Sequence, residues 1–229
     1  MNYLLKSFFD LLYPNLCLIC GESLVTGENQ LCLKCVSRIP KTNYHLIPDN
    51  PVEKRFWGKA PVAYASSYFF FQKGSDFQKL MHELKYRGNK EIGVLLGKYA
   101  AVDLSEVPDY LNIDIIVPVP LHPKKLAKRG YNQSELICNG ISSILKKPVN
   151  TTNLIRTREN TTQTKKSVFE RYENTQGIFE LKNPVEFQDK HILLVDDVLT
   201  TGSTLEACIQ TLLLVENIKI SVFTLAVAV

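Results

Sequence analysis

His191-Ile-Leu-Leu-Val-Asp-Asp-Val-Leu-Thr-Thr-Gly-Ser-Thr204 is the stretch from which the fold is read. Ile192 to Val195 is a short unbroken apolar run, the pattern of a strand buried on both faces. Asp196 and Asp197 stand where that strand is expected to end. Thr200, Thr201, Gly202, Ser203 and Thr204 make a turn of small, mostly hydroxyl-bearing residues, and Leu205 to Val215 reads as a helix. Strand, acid pair, small-residue turn and helix together describe a site for a phosphorylated sugar. The N–H groups of the turn and the positive end of the helix suit a phosphate. The carboxylates accept hydrogen bonds from sugar hydroxyls, and Gly202 lets the backbone pass close to a phosphate without a side-chain clash. An ordinary strand–loop–helix crossover is the plain alternative, and it has no need of the acid pair and the turn together. No GxxxxGK[ST] and no GxGxxG occurs in the chain, so neither of those phosphate loops is available.

Working outward, strands near 62–71, 114–119, 191–195 and 219–227 alternate with helices near 76–86, 91–102, 132–146 and 203–216. Such alternation predicts an α/β fold, a parallel-rich sheet with helices on both faces, in which a ligand sits at the carboxyl ends of the strands. Asp114 to Pro120 is a short apolar strand that runs into prolines. The loop after it carries Lys124, Lys125, Lys128 and Arg129 and no acid. A solvated basic loop and a contact for pyrophosphate are the two readings; a polyanion needs such cationic donors around it. Because the basic loop and the acid pair each follow a strand, both are expected on the same edge of the sheet.

Cys17, Cys20, Cys32 and Cys35 form two C-x2-C pairs with eleven residues between them. That spacing suits a tetrahedral zinc site with four cysteine ligands, structural because the protein fills every coordination position. Gly21 follows the first pair, where a tight knuckle needs a permissive backbone. Two disulfides are the main alternative, disfavoured where no secretory signal is present, and a redox pair is the weaker one. Cys138 and Cys208 fall in helical segments and read as core. The Pro-containing stretch from Arg38 to Pro61 reads as a linker partly draped on the body, dividing an N-terminal region (1–60) from the main domain (61–229).

The chain has 229 residues, 45% hydrophobic, which is enough for a packed core. The net charge of +4 is too small by itself to imply nucleic acid. No apolar run of ~18 residues exists, so no membrane span is expected. Leu4, Leu5, Phe8, Leu11 and Leu12 fall on one face of an amphipathic N-terminal helix; Asp10 interrupts the apolar stretch and no small-residue cleavage site follows, unlike a signal peptide. A cytoplasmic protein is expected.

The 191–204 stretch closely resembles the 5-phosphoribosyl-1-pyrophosphate (PRPP) motif of type I phosphoribosyltransferases. The resemblance implies that Asp196 and Asp197 bind the ribose hydroxyls and that Thr200 through Thr204 bind the 5′-phosphate, with Mg2+ accompanying PRPP. Pro118-Val-Pro-Leu-His122 and Arg129-Gly-Tyr-Asn-Gln133, with Leu84-Lys-Tyr-Arg-Gly-Asn89 and the paired cysteines, are similar to the ComF family, which is associated with natural competence for DNA uptake. Its members combine an N-terminal zinc module with a phosphoribosyltransferase-type domain. The resemblance further implies a flap over the site, to which Arg156, Thr162, Gln163 and Arg171 belong. Thr200 stands where purine-salvage members of the superfamily carry an acid, and the sequence ends at Val229 directly after its last strand. Either the N-terminal module supplies the second half of the pocket or no base is bound. A single-stranded DNA-binding role, alone or with other DNA-uptake proteins, is the alternative, with the basic loop and Tyr44, Trp57, Tyr64 and Tyr68 as charge and stacking surfaces. A PRPP sensor without transfer is a third.

Overall fold

The computed structural model describes residues 14–157 and 177–229. Four parallel strands, β1 (Ala65–Phe71), β2 (Ile115–Pro118), β5 (His191–Leu199) and β6 (Lys219–Ala228), form one sheet in the order β1-β6-β5-β2. The two central strands carry the long apolar runs, Ile192–Val195 and Val222–Val227, broken only by Thr224. Hydrogen-bonded neighbours on either side leave such strands no contact with water. Leu193 and Val195 point to one face of the sheet and Ile192 and Leu194 to the other, so β5 feeds two separate cores.

The first face is covered by α1 (Gln78–Tyr86), α2 (Lys90–Leu104) and α4 (Gln133–Leu145), and the second by α5 (Ser203–Leu212). The parallel-rich sheet with helices on both faces is therefore as the alternation predicts. Leu154–Arg156 (β3) and Phe179–Leu181 (β4) form a separate antiparallel pair.

Three local expectations are corrected. The strand after His191 does not end at Val195 but continues through both acids to Leu199, because Asp196 and Val198 still pair with Thr224 and Ala226 of β6. The basic segment after β2 is not a loop: Pro123–Arg129 is a helix, α3, with Pro at its first position, His122 Nδ1 accepting from Lys124 N at 3.2 Å, and Gly130 closing it at φ +80°. The Arg38–Pro61 connection is more than draped chain. Thr42 N donates to Tyr68 O at 3.0 Å and Phe70 N to Pro40 O at 2.9 Å, which covers the outer edge of β1. Asn50, buried, caps the following helical turn and donates to Ala65 O at 2.9 Å.

Helices α2 and α4 pack at backbone distance. A methyl group on Gly97 would collide with the Ile137 carbonyl, and one on Gly140 would collide with the Val94 carbonyl and lie 2.9 Å from Gly97 Cα. These neighbours are backbone, so nothing can swing aside. Gly140→Ala is expected to destabilise the fold by about 2–4 kcal/mol through forced helix separation, read as a lower urea midpoint at unchanged slope; an unchanged midpoint would refute the close crossing.

Candidate functional site

The carboxyl edge of β5 gathers groups from four parts of the chain. Asp196 accepts from Ser134 Oγ at 3.0 Å and from the Asp197 N–H at 2.8 Å. Ser134 is placed by the start of α4, where the Asn132 side chain accepts from Ser134 N and donates to Val119 O just beyond β2. Asp197 pairs with Lys85 Nζ at 3.0 Å. Lys85 lies in the last turn of α1, inside the Leu84–Asn89 motif, where Gly88 at φ +72° turns the chain away. Burial, and then the charge of Asp197, push the Asp196 carboxyl up to about 7.

Behind the acids, Thr200 to Gly202 make the turn, and Ser203 and Thr204, read from the sequence as part of it, already belong to α5. Gly202 takes φ +88°, which other residues rarely adopt, and opens α5. Thr201 Oγ1 and Ser203 Oγ lie 3.0 Å apart at the mouth of a cavity of about 30 Å³ lined by Asp196 and Val198–Leu205. The Arg55 guanidinium donates to the Thr200 carbonyl, and Lys59 pairs with Glu206 at 2.9 Å in the first turn of α5. A cavity of about 630 Å³ lies between β4 and α5 and includes neither acid.

Lys124, Lys125 and Lys128 lie on the exposed surface of α3. Arg129 turns inward: it donates to Gln133 Oε1, and its guanidinium stacks 5.8 Å from the centre of the Tyr86 ring. Arg156, on β3, lies 5.5 Å over the Phe179 ring. Beside it a cavity of about 190 Å³ opens between the β2–α3 connection and β3. Thr162, Gln163 and Arg171 lie outside the described residues, as does the amphipathic segment around Leu4–Leu12. Of the four aromatics considered as stacking surfaces, Tyr68 is buried in the core and cannot serve, whereas Trp57 is 57% exposed with Lys54 5.7 Å from its ring centre. Lys85, Ser134 and Arg55 were not assigned from sequence. Two of them lie in or next to the recognisable motifs Leu84–Asn89 and Arg129–Gln133, but their partners are 112 and 62 residues away (197 − 85; 196 − 134).

The four paired cysteines converge as expected. Their sulfurs all lie within 4.8 Å of one another, and Cys20 and Cys32 are 3.7 Å apart. Zn–S bonds of about 2.3 Å in a tetrahedron put neighbouring sulfurs about 3.8 Å apart, whereas a disulfide needs about 2.05 Å. Burial raises the Cys17 thiol, but the N–H groups of Cys20, Cys32 and Ile19 outweigh it and bring it down to about 6. Burial pushes the Cys35 thiol the opposite way, so four thiolates this close would need a cation among them, and the donor set fits a structural Zn2+. Gly21 closes the first knuckle at φ +75°. The module is tied to the body: Lys79 Nζ donates to Ile19 O at 2.8 Å, and Gln30 joins Asn89 and Glu91 at the start of α2. Among the described residues no helix is long and apolar enough to cross a membrane.

Two segments of the chain match known protein families. Residues 132–229 match the Phosphoribosyl transferase domain family, and residues 8–46 match the Double zinc ribbon domain. The chain is 30% identical over 216 residues to the DNA utilization protein YhgH of Escherichia coli strain K12, covering 87% of this chain and 91% of that one. It is 38% identical over 201 residues to Competence protein F of Haemophilus influenzae, covering 82% and 86%. Identity to Competence protein ComFC of Bacillus subtilis is 24%, covering 86% and 88%.

Two outcomes are expected. Purified protein carries one Zn2+ per chain by metal analysis; Cys20→Ser lowers that content and the thermal midpoint together, and metal-free protein with an unchanged midpoint would refute the site. Asp196 carries a raised carboxyl, so its charged form opposes folding. That penalty is absent below its ordinary value near 4, grows as pH rises, and is complete above about 7. Asp196→Asn is therefore expected to raise the thermal midpoint by a few degrees at pH 8, with the gain fading toward pH 4; a gain independent of pH would refute the burial of that charge.

Proposed function

Because the chain belongs to the ComF family of competence proteins, we propose that it binds PRPP together with Mg2+ at the carboxyl edge of β5 and acts in DNA uptake or utilisation. The observation that carries this reading is the joint cradle: Asp196 and a glycine-opened turn at a helix N-terminus line one small cavity, with Asp197 next to it on the same sheet edge. A 5′-phosphate seated on the turn meets the backbone N–H groups of 201–204 and the positive end of α5. The pentose then lies toward Asp196 and Asp197, whose oxygens accept from vicinal hydroxyls. Ser134 and the Asp197 N–H already hold one Asp196 oxygen, which orients the other.

Hard carboxylate oxygens of this kind are the ligands Mg2+ takes, directly or through water, and the ion would supply charge neutralisation for a departing pyrophosphate. The residues of the edge contribute placement and electrostatics: they fix the ribose and favour positive character at its C1 as the C–O bond to pyrophosphate lengthens. A cation beside Asp196 would favour its charged form, so metal and sugar binding are expected to reinforce one another.

The double variant Asp196→Asn, Asp197→Asn is expected to stay folded and to lose PRPP binding in calorimetry with Mg2+, by a factor of 100 or more, on the order of 3 kcal/mol. Undiminished affinity in a folded double variant would sink the assignment.

A further inference from the structure

The Leu84–Asn89 motif has no role in the reading above, yet it supplies the closest charged contact to the acid pair. Lys85 Nζ lies 3.0 Å from Asp197 Oδ2, and the lysine is largely buried, with 25% of its side chain exposed. A surface lysine in a high dielectric gains little from such a contact and gives up rotamer freedom to keep it. This one is held by its surroundings. The Tyr131 hydroxyl donates to the Leu84 carbonyl at 2.8 Å, tying the end of α1 to the Arg129–Gln133 segment. Arg129 stacks on Tyr86, the residue after Lys85, and donates to Gln133 Oε1. A guanidinium only donates, so this contact fixes which way the Gln133 amide faces.

Gln133 is 2% exposed, and among the described residues its Nε2 has no hydrogen-bond partner. A buried donor left unmet costs about 1–3 kcal/mol, which is tolerable where a ligand oxygen completes it. Gln133 is also the residue before Ser134, which holds Asp196. Lys85, Tyr86, Arg129, Gln133, Ser134, Asp196 and Asp197 are thus one connected array, cationic and donor-rich on one side and anionic on the other.

We propose that Lys85 is the residue that receives the pyrophosphate of the ligand, and that in the empty site it is parked on Asp197. The inference rests on the PRPP reading and deepens it. The ligand's pyrophosphate, a dense polyanion, competes with one carboxylate for the ammonium. The exchange frees Asp197 for the ribose hydroxyls at the moment it neutralises the leaving group, so occupation of the pyrophosphate end and of the sugar end is linked. Exposed Lys124, Lys125 and Lys128 on α3 then act at longer range, drawing the anion in.

The exchange gives opposite signs for two ligands. Lys85→Met keeps the aliphatic stem and removes the charge. It is expected to weaken Mg2+–PRPP binding at least 10-fold in calorimetry, while ribose 5-phosphate, which has no pyrophosphate, binds as tightly as to the unaltered protein or up to several-fold tighter. Lys85→Arg is expected to recover most of the PRPP affinity. If the unaltered protein binds both ligands and Lys85→Met weakens both equally, or neither, the exchange is refuted while the sugar site stands. If the unaltered protein binds neither ligand, the PRPP reading falls and the exchange with it.

Discussion

Two carboxylates on consecutive residues, at the rim of a strand that is sealed on both faces up to Val195, set the terms for everything around them. Burial, and then repulsion from Asp197, opposes the charge of Asp196 and raises its carboxyl. The surrounding structure answers from different parts of the chain: Ser134 from the helix after β2, the Asp197 N–H from β5 itself, and Lys85 from the helix after β1. Only the order β1-β6-β5-β2, with α1 and α4 on the same face, brings these together. A site held in this strained condition is less stable than an apolar edge would be, a common feature where ligand chemistry decides which residues are kept.

The cysteine module takes part in this arrangement at a distance. Cys17, Ile19, Leu31, Cys32, Cys35 and Ile39 join the same apolar cluster as Tyr68, Leu80 and Leu84. Metal at the four sulfurs therefore stiffens a surface against which α1 rests, and α1 carries Lys85. The close crossing of α2 and α4 at Gly97 and Gly140 does similar work for Ser134. Both supports act through backbone and packing, so their loss would shift side chains at the acid pair without touching them.

How far the sequence was legible depends on the range of the interaction. Ile192–Val195 and the glycine-bearing turn after Leu199 identify themselves because strand burial and positive φ impose local residue choices. The two C-x2-C pairs do so because a tetrahedral metal needs ligands in adjacent knuckles. The true end of β5 was misplaced: aspartate is a poor strand former in isolation, but pairing of Asp196 with Thr224 overrides that preference. The basic segment was misread as a loop because a seven-residue helix offers too few turns for periodicity to show.

The amino-acid sequence by itself determined the alternation of strands and helices, the acid pair with its turn, and the four-sulfur set, since each rests on contacts between near neighbours. Tertiary structure alone decided which cation faces the acids. Lysines 124, 125 and 128 cluster in sequence but lie on an exposed helical surface, whereas solitary Lys85 reaches Asp197 across 112 residues (197 − 85). Charge density along a chain carries no information about direction. The hand and packing of the helices on the sheet supply it.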